Sequence, residues 1–237
     1  MPVPADTRKR VIVFDLGNVF IHVDTVRLAG DLAHAAGTTG QEQALSEILE
    51  HGLARDYERG RISSMAFFES LRERLRSGLT FESFRRIWCG IFSPVQPMID
   101  CLGLLRGNYK LVLLSNTNAL HVEYCHSVFP WLDLFHHRVY SFEVGLAKPD
   151  PEIFRWTFAR AGVDAGDCYF VDDRVENVET AFSLGMTAYR FFLPGVLERF
   201  GDGERRISVK ELFLRPPIFA GSSGSGPGAG ELGQTED

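Results

Sequence analysis

Three hydrophobic runs in this chain each end in polar residues that could carry out chemistry. The first run, Val11–Phe14, ends at Asp15, and a later run ends at Asp172 and Asp173. Between them in the sequence, another apolar run ends at the hydroxyl of Ser115. Parallel strands present the residues that follow them at the carboxyl edge of their sheet, so we expect these groups to meet there. That edge is therefore a candidate active site.

The carboxylates of these clusters predict a metal ion. If the three aspartates converge, they repel one another unless a proton or a cation lies between them. Oxygen ligands without neighbouring sulfur or histidine favour Mg²⁺, which keeps several waters and binds substrate phosphate oxygens. Lys148 adds positive charge, and Ser115 and Asn116 offer a hydroxyl, an amide and backbone N–H groups that suit an anion. Together these groups predict phosphoryl transfer, which depends on positioning and charge neutralisation.

The segments around these residues predict an α/β fold. From Thr25 to Phe92 apolar and charged residues alternate at helical spacing, which indicates an all-helical insertion. From Pro94 onward strand-like and helix-like segments alternate, which predicts parallel strands joined by right-handed crossovers. The predicted fold is a doubly wound parallel sheet with a small helical cap after the first strand. The predicted boundaries are 9–22 and 93–215 for the core, 23–92 for the cap and 216–237 for a flexible Gly/Ser-rich tail.

Local signals predict where several elements begin and end. Ser63 and Thr80 are residues that cap helices, and each precedes a stripe of apolar residues at three- and four-residue spacing. Asp150 and the proline after it open another helix, which ends by Gly162. The segment 187–192 is predicted as the last strand.

Composition narrows the class of protein. The chain has 237 residues, 45% of them hydrophobic, and a formal net charge of -6, so it can bury a full core. It has no basic run long enough to follow a phosphate backbone and no apolar run long enough to span a bilayer, so we expect neither a nucleic-acid nor a membrane partner. Its cysteines lack Cys-x-x-Cys spacing, which predicts reduced thiols and a cytoplasmic location. They are Cys89, Cys101, Cys125 and Cys168.

The order of these motifs resembles a known superfamily across about residues 10 to 200. Asp15, then Ser115 with Asn116, then Lys148, then the pair 172–173 resemble the four motifs of the haloacid-dehalogenase-like (HAD) hydrolases. The strings at 14–19, 114–118 and 172–177 resemble the branch that contains alpha-D-glucose-1-phosphate phosphatase and the N-terminal phosphatase of soluble epoxide hydrolase. The segment 58–63 is similar to the cap of that branch, in which the helical insertion is a mobile cap.

The resemblance implies a role for each matching residue. Asp15 would attack phosphorus and form an aspartyl-phosphate. The implied Mg²⁺ ligands are Asp15, the Gly17 carbonyl, Asp173, and Asp172 directly or through water. The implied phosphate-binding residues are Ser115, Asn116 and Lys148, and the implied supporting residues are Asn177 and Asn18.

One departure from the family pattern concerns proton transfer. Most HAD phosphatases carry a second aspartate two residues after the nucleophile, as general acid and base, but this chain has Gly17. Because general acid catalysis contributes roughly 10²–10⁴-fold, its loss favours leaving groups that need little protonation, such as an anomeric sugar phosphate. We hypothesise that His22, near the start of the cap, supplies the proton.

The sequence leaves more than one function open. The favoured one is a Mg²⁺-dependent phosphatase that acts on a small phosphorylated metabolite, with a sugar phosphate as the predicted substrate class. A 2-haloacid dehalogenase, in which the same aspartate attacks carbon without a metal, and a non-catalytic protein that binds a phosphometabolite or a partner are the alternatives. The oligomeric state is open between monomer and homodimer.

Overall fold

The computed structural model describes residues 11–37, 52–193, 195–199, 201 and 206–210, and the predicted tail at 216–237 lies outside them. The strands are β1 Val11–Phe14, β2 Ile21–Val23, β3 Phe92–Pro94, β4 Lys110–Ser115, β5 His137–Tyr140, β6 Cys168–Asp172, β7 Thr187–Phe192, β8 Val196–Arg199 and β9 Arg206–Ser208. The α-helices are α1 Thr25–Ala35, α2 Leu53–Glu58, α3 Ser64–Arg74, α4 Phe81–Cys89, α5 Gln96–Asn108, α6 Ala119–Val128, α7 Ser141–Val144, α8 Pro151–Ala161 and α9 Val175–Ser183.

A seven-stranded sheet forms the centre of the molecule. Its strand order is β5-β4-β1-β6-β7-β8-β9, and the strands from β5 to β7 in that order are parallel. The chain leaves β1 toward β4 on one side and later crosses to β6 on the other, so β1 lies at the point where the winding direction changes. A crevice opens there at the carboxyl ends of the strands, where α/β proteins bind ligands. The predicted doubly wound α/β fold is confirmed.

Both faces of the central strands are buried, which explains their uninterrupted apolar runs. Ile12 and Phe14 of β1 pack into the core layer on one face of the sheet, and Val11 and Val13 pack into the layer on the other. This pattern is typical of parallel sheets covered by helices on both sides. The sheet therefore gives a rigid support to the polar residues at its edge.

The helices α1 to α4 form a second apolar cluster of their own. Phe67, Phe84 and Trp88 pack at its centre with ring centroids 4.9 to 6.0 Å apart. The hydroxyls of Ser63 and Thr80 cap α3 and α4 by accepting backbone N–H groups, as the sequence predicts. All of the buried residues of this cluster except Leu120 lie within the predicted cap segment 23–92, whose boundaries stay a prediction.

Three antiparallel strand pairings lie outside what the sequence predicts. Strands β2 and β3 pair where the chain passes into the helical insertion and returns from it. Strands β8 and β9 extend the parallel sheet with antiparallel pairing, so β7, predicted as the last strand, is followed by two more. Segments of three or four residues are too short for a periodic pattern to show in a sequence.

Among the described residues, none of the helices has the length and apolar character needed to cross a membrane.

Candidate active site

The register of the sheet brings three strand ends together. Phe14 of β1 pairs with Leu113 on one side and with Val171 on the other. The residues that follow, among them Asp15 and Asp172, therefore lie side by side at the carboxyl edge. The convergence predicted from the strand ends is what the register produces.

Lys148 places a buried ammonium group over these strand ends. Its Nζ lies 2.8 Å from Oδ1 of Asp15 and 2.7 Å from Oδ2 of Asp172, and it donates to the Leu114 carbonyl at 2.8 Å. The lysine is 5% exposed and Asp172 is fully buried. One cation thus balances two carboxylates that would otherwise face each other unpaired in a dry environment.

Asp172 positions Lys148, and the Asp172 carboxylate accepts hydrogen bonds from several groups. Beyond the lysine, it accepts the backbone N–H of Arg174 at 2.9 Å and the Asn177 amide at 2.9 and 3.0 Å. Asn177 is itself 2% exposed, so its amide and the Asp172 carboxylate are buried together. The arrangement assigns Asp172 and Asn177 to holding the lysine in place.

Asn116 positions the same lysine from the other side. Its amide nitrogen donates to the Lys148 carbonyl at 2.8 Å, and its amide oxygen accepts the Lys148 N–H at 2.8 Å. Both ends of the Asn116 side chain are therefore occupied by the lysine backbone.

Ser115 lines the cavity, and its hydroxyl has no hydrogen-bond partner among the described residues. Its hydroxyl remains free for an anion, whereas Asn116 can offer only its backbone N–H.

The oxygen atoms of the cluster are ligands that suit a hard divalent cation. Asp15, Asp172 and Asp173 each offer a carboxylate oxygen, and these oxygens lie within 4.8 Å of one another. Asp173 is half-buried and accepts the amide of Asn18 at 3.0 Å. The Gly17 carbonyl accepts no hydrogen bond among the described residues. Since Asp172 already has three donors, Asp15, Asp173 and the Gly17 carbonyl are the oxygens best placed to hold Mg²⁺.

The electrostatics of the cluster follow from its burial. Burial raises the pKa of Asp15 to about 7; Lys148 opposes that rise, whereas Asp172 and Asp173 add to it. Burial also raises the pKa of Asp173. Burial lowers the pKa of Lys148, but Asp15 and Asp172 outweigh it and leave that pKa above its ordinary value. The lysine is therefore charged at neutral pH, and a bound cation would favour the ionised form of Asp15.

A cavity of about 350 Å³ opens above the strand ends. The core contributes Asp15, Ser115 and Lys148 to its wall, and the cap contributes Glu58 at the end of α2. The space is at the small end of the range typical of small-molecule sites. It has room for a small ligand over the carboxylate cluster.

His121 also lines the cavity, as part of a rigid wall. Burial lowers its pKa to about 4, so the ring is neutral at pH 7. Its Nε2 lies 3.0 Å from the Trp88 carbonyl, which can only accept, so Nε2 carries the proton and Nδ1 accepts from Asn118 at 3.0 Å. The ring stacks on Trp88 and meets Phe92 edge-on, with centroids 5.0 and 4.7 Å away. Both nitrogens are occupied, and the residue joins cap to core.

His22, hypothesised as a proton donor, does not line this cavity. Side chains alternate along β2, and Ile21 and Val23 line the cavity while the His22 side chain is exposed. The sequence shows that His22 is near the cap boundary but not which face of so short a strand it occupies. Glu58 is a titratable cavity residue to which the sequence assigns no role.

Comparison with known proteins agrees with this geometry. A family model described as haloacid dehalogenase-like hydrolase matches residues 9–185. The chain belongs to this family. The predicted superfamily and the predicted enzyme class, a hydrolase, are thereby confirmed for this HAD hydrolase, whereas the narrower branch suggested by its motifs stays a prediction.

Several relatives of this HAD hydrolase have names or ligands that bear on its chemistry. D-ribitol-5-phosphate phosphatase of Bacteroides thetaiotaomicron is 28% identical over 186 residues, which cover 76% of this chain and 90% of that protein. Sesquiterpene phosphatase astK of Aspergillus oryzae is 26% identical over 186 residues, or 76% and 88% of the two chains. A HAD family enzyme from Bacteroides thetaiotaomicron, solved in complex with magnesium and inorganic phosphate, has a TM-score of 0.71 and 28% identity over 77% of this chain and 93% of its own.

Proposed function

We propose that this HAD hydrolase is a Mg²⁺-dependent phosphatase that cleaves a small phosphorylated metabolite through an aspartyl-phosphate on Asp15. The observation that carries the proposal is the buried contact of the Asp15 carboxylate with the Lys148 ammonium, 2.8 Å apart on the floor of a cavity. The magnesium and phosphate complex of the structural relative and the phosphatase names of the sequence relatives support it.

The residues on the floor divide the work of the reaction. Asp15 attacks phosphorus with one carboxylate oxygen, which splits the hydrolysis into two easier steps. Ser115 donates a hydrogen bond to the transferred phosphoryl group, and Lys148 offsets the negative charge that nucleophile and phosphate bring together. When bound by Asp15, Asp173 and the Gly17 carbonyl, Mg²⁺ would neutralise further charge on the phosphoryl oxygens.

We infer a sugar phosphate or a polyol phosphate as the substrate class. The cavity volume of about 350 Å³ fits a molecule of that size, and the relative from Bacteroides thetaiotaomicron is named for a polyol phosphate. The four cysteines are buried free thiols, which agrees with the predicted reducing, cytoplasmic setting. The absence of nucleic-acid and membrane partners and the choice between monomer and homodimer remain predictions from the sequence.

Metal dependence tests the proposal. We expect the protein to hydrolyse p-nitrophenyl phosphate with Mg²⁺ and to lose that activity in EDTA, because Asp15 and Asp173 then lack the cation that lets both stay ionised beside a phosphate. Release of p-nitrophenol and recovery on adding Mg²⁺ are measured. Turnover of a 2-haloacid that persists in EDTA would indicate the dehalogenase instead. No turnover of either p-nitrophenyl phosphate or the 2-haloacid would favour a binding protein.

We expect the His22→Ala variant to keep the wild-type rate and pH–rate profile. The exposed ring lies outside the cavity, and a surface substitution of this kind changes stability by about 0.5 kcal/mol or less. Steady-state kinetics with p-nitrophenyl phosphate across the pH range provide the measurement. A lost limb of the pH profile would restore His22 as a proton donor.

A further inference from the structure

Gly17, two residues after the proposed nucleophile, gives the cavity no proton donor beside Asp15. Gly17 has no side chain, although a Cβ added there would meet only Val23 Cγ2 at 3.5 Å and Asp15 Oδ2 at 4.0 Å, which is ordinary contact. The space for a donor is present and the donor is absent. If the protein protonates a basic leaving group, the proton must come from elsewhere in the cavity wall.

In-line geometry shows on which side that donor must lie. In phosphoryl transfer the attacking and leaving oxygens are roughly in line across phosphorus. Asp15 attacks from the floor of the cavity, at the edge of the sheet. The leaving oxygen therefore points away from the floor, toward the wall that the cap contributes.

Glu58 is a carboxyl group on that side. It is the last residue of α2, it is half-buried, and it lines the cavity that Asp15 also lines. Its carboxylate has no hydrogen bond and no ion pair among the described residues. Burial raises its pKa, with Arg174 and then Arg55 acting in the opposite direction. It therefore holds a proton more readily than an exposed glutamate does.

The backbone of Glu58 is fixed to the core although it belongs to the cap. The Ser141 hydroxyl contacts the Glu58 carbonyl and also accepts the Thr117 N–H at 2.9 Å, beside the second strand end. Two residues on, Gly60 has a φ of +65°, and a Cβ there would lie 2.1 Å from the Phe142 carbonyl oxygen. The turn after α2 thus rests directly on the core backbone. This contact sets the height of Glu58 above the strand ends.

Apart from Asp15 and Asp173, which are assigned to the nucleophile and the proposed metal site, the other titratable groups of the cavity wall are occupied or hold their protons too tightly. His121 is neutral, with both nitrogens bonded to protein. The Tyr140 hydroxyl bonds to His126 at 2.9 Å, and burial raises its pKa. Burial raises the pKa of the Cys125 thiol to about 12. Lys148 is bound between two carboxylates.

We propose that Glu58 is the general acid of this enzyme, in the role that Gly17 leaves open. The proposal rests on the proposed phosphatase function. As the bond from Asp15 to phosphorus forms and the ester P–O bond breaks, the Glu58 proton passes to the leaving oxygen. Glu58 then takes a proton from the water that attacks phosphorus, while the bond to Asp15 breaks and Asp15 leaves as a carboxylate.

The Glu58→Gln variant tests this role with two substrates of similar shape. Phenyl phosphate has a basic leaving group that needs a proton, whereas p-nitrophenyl phosphate has one that needs little. We expect kcat/KM for phenyl phosphate to fall by roughly 10²–10⁴-fold, the usual contribution of a general acid, and kcat/KM for p-nitrophenyl phosphate to fall far less. We also expect a burst of p-nitrophenol stoichiometric with enzyme, because the second half-reaction has lost its base.

Matched variants separate this role from a structural one. Glu69→Gln makes the same change on an exposed face of α3 and should leave both substrates at the wild-type rate. Glu58→Asp keeps the carboxyl and should recover part of the phenyl phosphate rate, even if the glutamine variant folds poorly by circular dichroism. An equal loss on both substrates without a burst would overturn the role of Glu58 alone. A wild-type protein that hydrolyses neither substrate would overturn the phosphatase function as well.

Discussion

The Asp15→Asn variant is expected to lose hydrolysis of p-nitrophenyl phosphate by on the order of 10⁴-fold or more in kcat, since an amide cannot form the aspartyl-phosphate. The loss should be this large because the side chain is both the nucleophile and a proposed metal ligand. Asparagine has the same shape, so the Lys148 and Asp172 contact can persist and the protein should stay folded. Stopped assays at high enzyme concentration measure the residual rate. A loss of tenfold or less would exclude Asp15 as the nucleophile.

The same variant should change how stability depends on pH when metal is removed. Burial raises the pKa of Asp15 to about 7 from an ordinary 3.8, so the folded protein binds this proton more tightly than the unfolded chain does. The contribution of Asp15 to the free energy of unfolding is therefore present in full below pH 3.8, and it is lost as the pH rises through about 7. Asp15→Asn should lack this decline, and thermal unfolding in EDTA across that window compares the two proteins. Parallel curves would contradict the raised pKa.

The second large effect is expected for Lys148→Met, which removes the charge and keeps much of the length. Asp15 and Asp172 would then face each other in a buried site with no cation, and breaking a buried ion pair on one side costs about 3–5 kcal/mol. Activity should fall by about 10³-fold, the scale for losing one preorganised charge or donor. Urea unfolding gives the first quantity and steady-state kinetics the second.

A double variant separates the two effects of that substitution. Lys148→Met combined with Asp172→Asn removes the unpaired buried carboxylate, so it should recover a large part of the lost stability. It should recover none of the activity, because the lysine charge on the phosphoryl group is still missing. If the single variant is as stable as the wild type, Lys148 does not balance these carboxylates.

The part of the site that is local in sequence could be predicted from it. Asp15, Ser115 and Asp172 each end a buried strand, and the parallel register of three neighbouring strands is enough to bring them together. The helix N-termini at Ser63 and Thr80 could also be predicted, because an N-cap hydrogen bond involves only residues within one turn. These features require only periodicity and the direction of the chain.

The division of roles inside the site could not be predicted in that way. The Asn116 side chain bonds to the Lys148 backbone 32 residues away, and Asp172 accepts from the same lysine and from Asn177. Which polar groups pair depends on distances of a few tenths of an ångström between segments remote in sequence. A motif therefore identifies the members of the site but not which of them contacts the ligand.

Glu58 and His22 are two further residues for which the sequence does not show whether the side chain reaches the cavity. His22 is near the start of the predicted cap in sequence, but its side chain on β2 is exposed to solvent. The sequence indicates only that Glu58 belongs to a cap segment, and the contacts of Ser141 and Gly60 with neighbouring backbone bring it to the cavity. The sequence signal that could have identified it is a glutamate two residues before a glycine in the cap, taken together with the missing acid at Gly17.

The most direct test of the central claim is to look for phosphate on Asp15. Protein mixed with p-nitrophenyl phosphate and Mg²⁺ is quenched in acid during turnover and digested, and the peptides are analysed by mass spectrometry. We predict a phosphoryl group on Asp15 that is absent from the Asp15→Asn variant and more abundant in Glu58→Gln. Steady turnover with no phosphorylated Asp15 at any quench time would contradict the account.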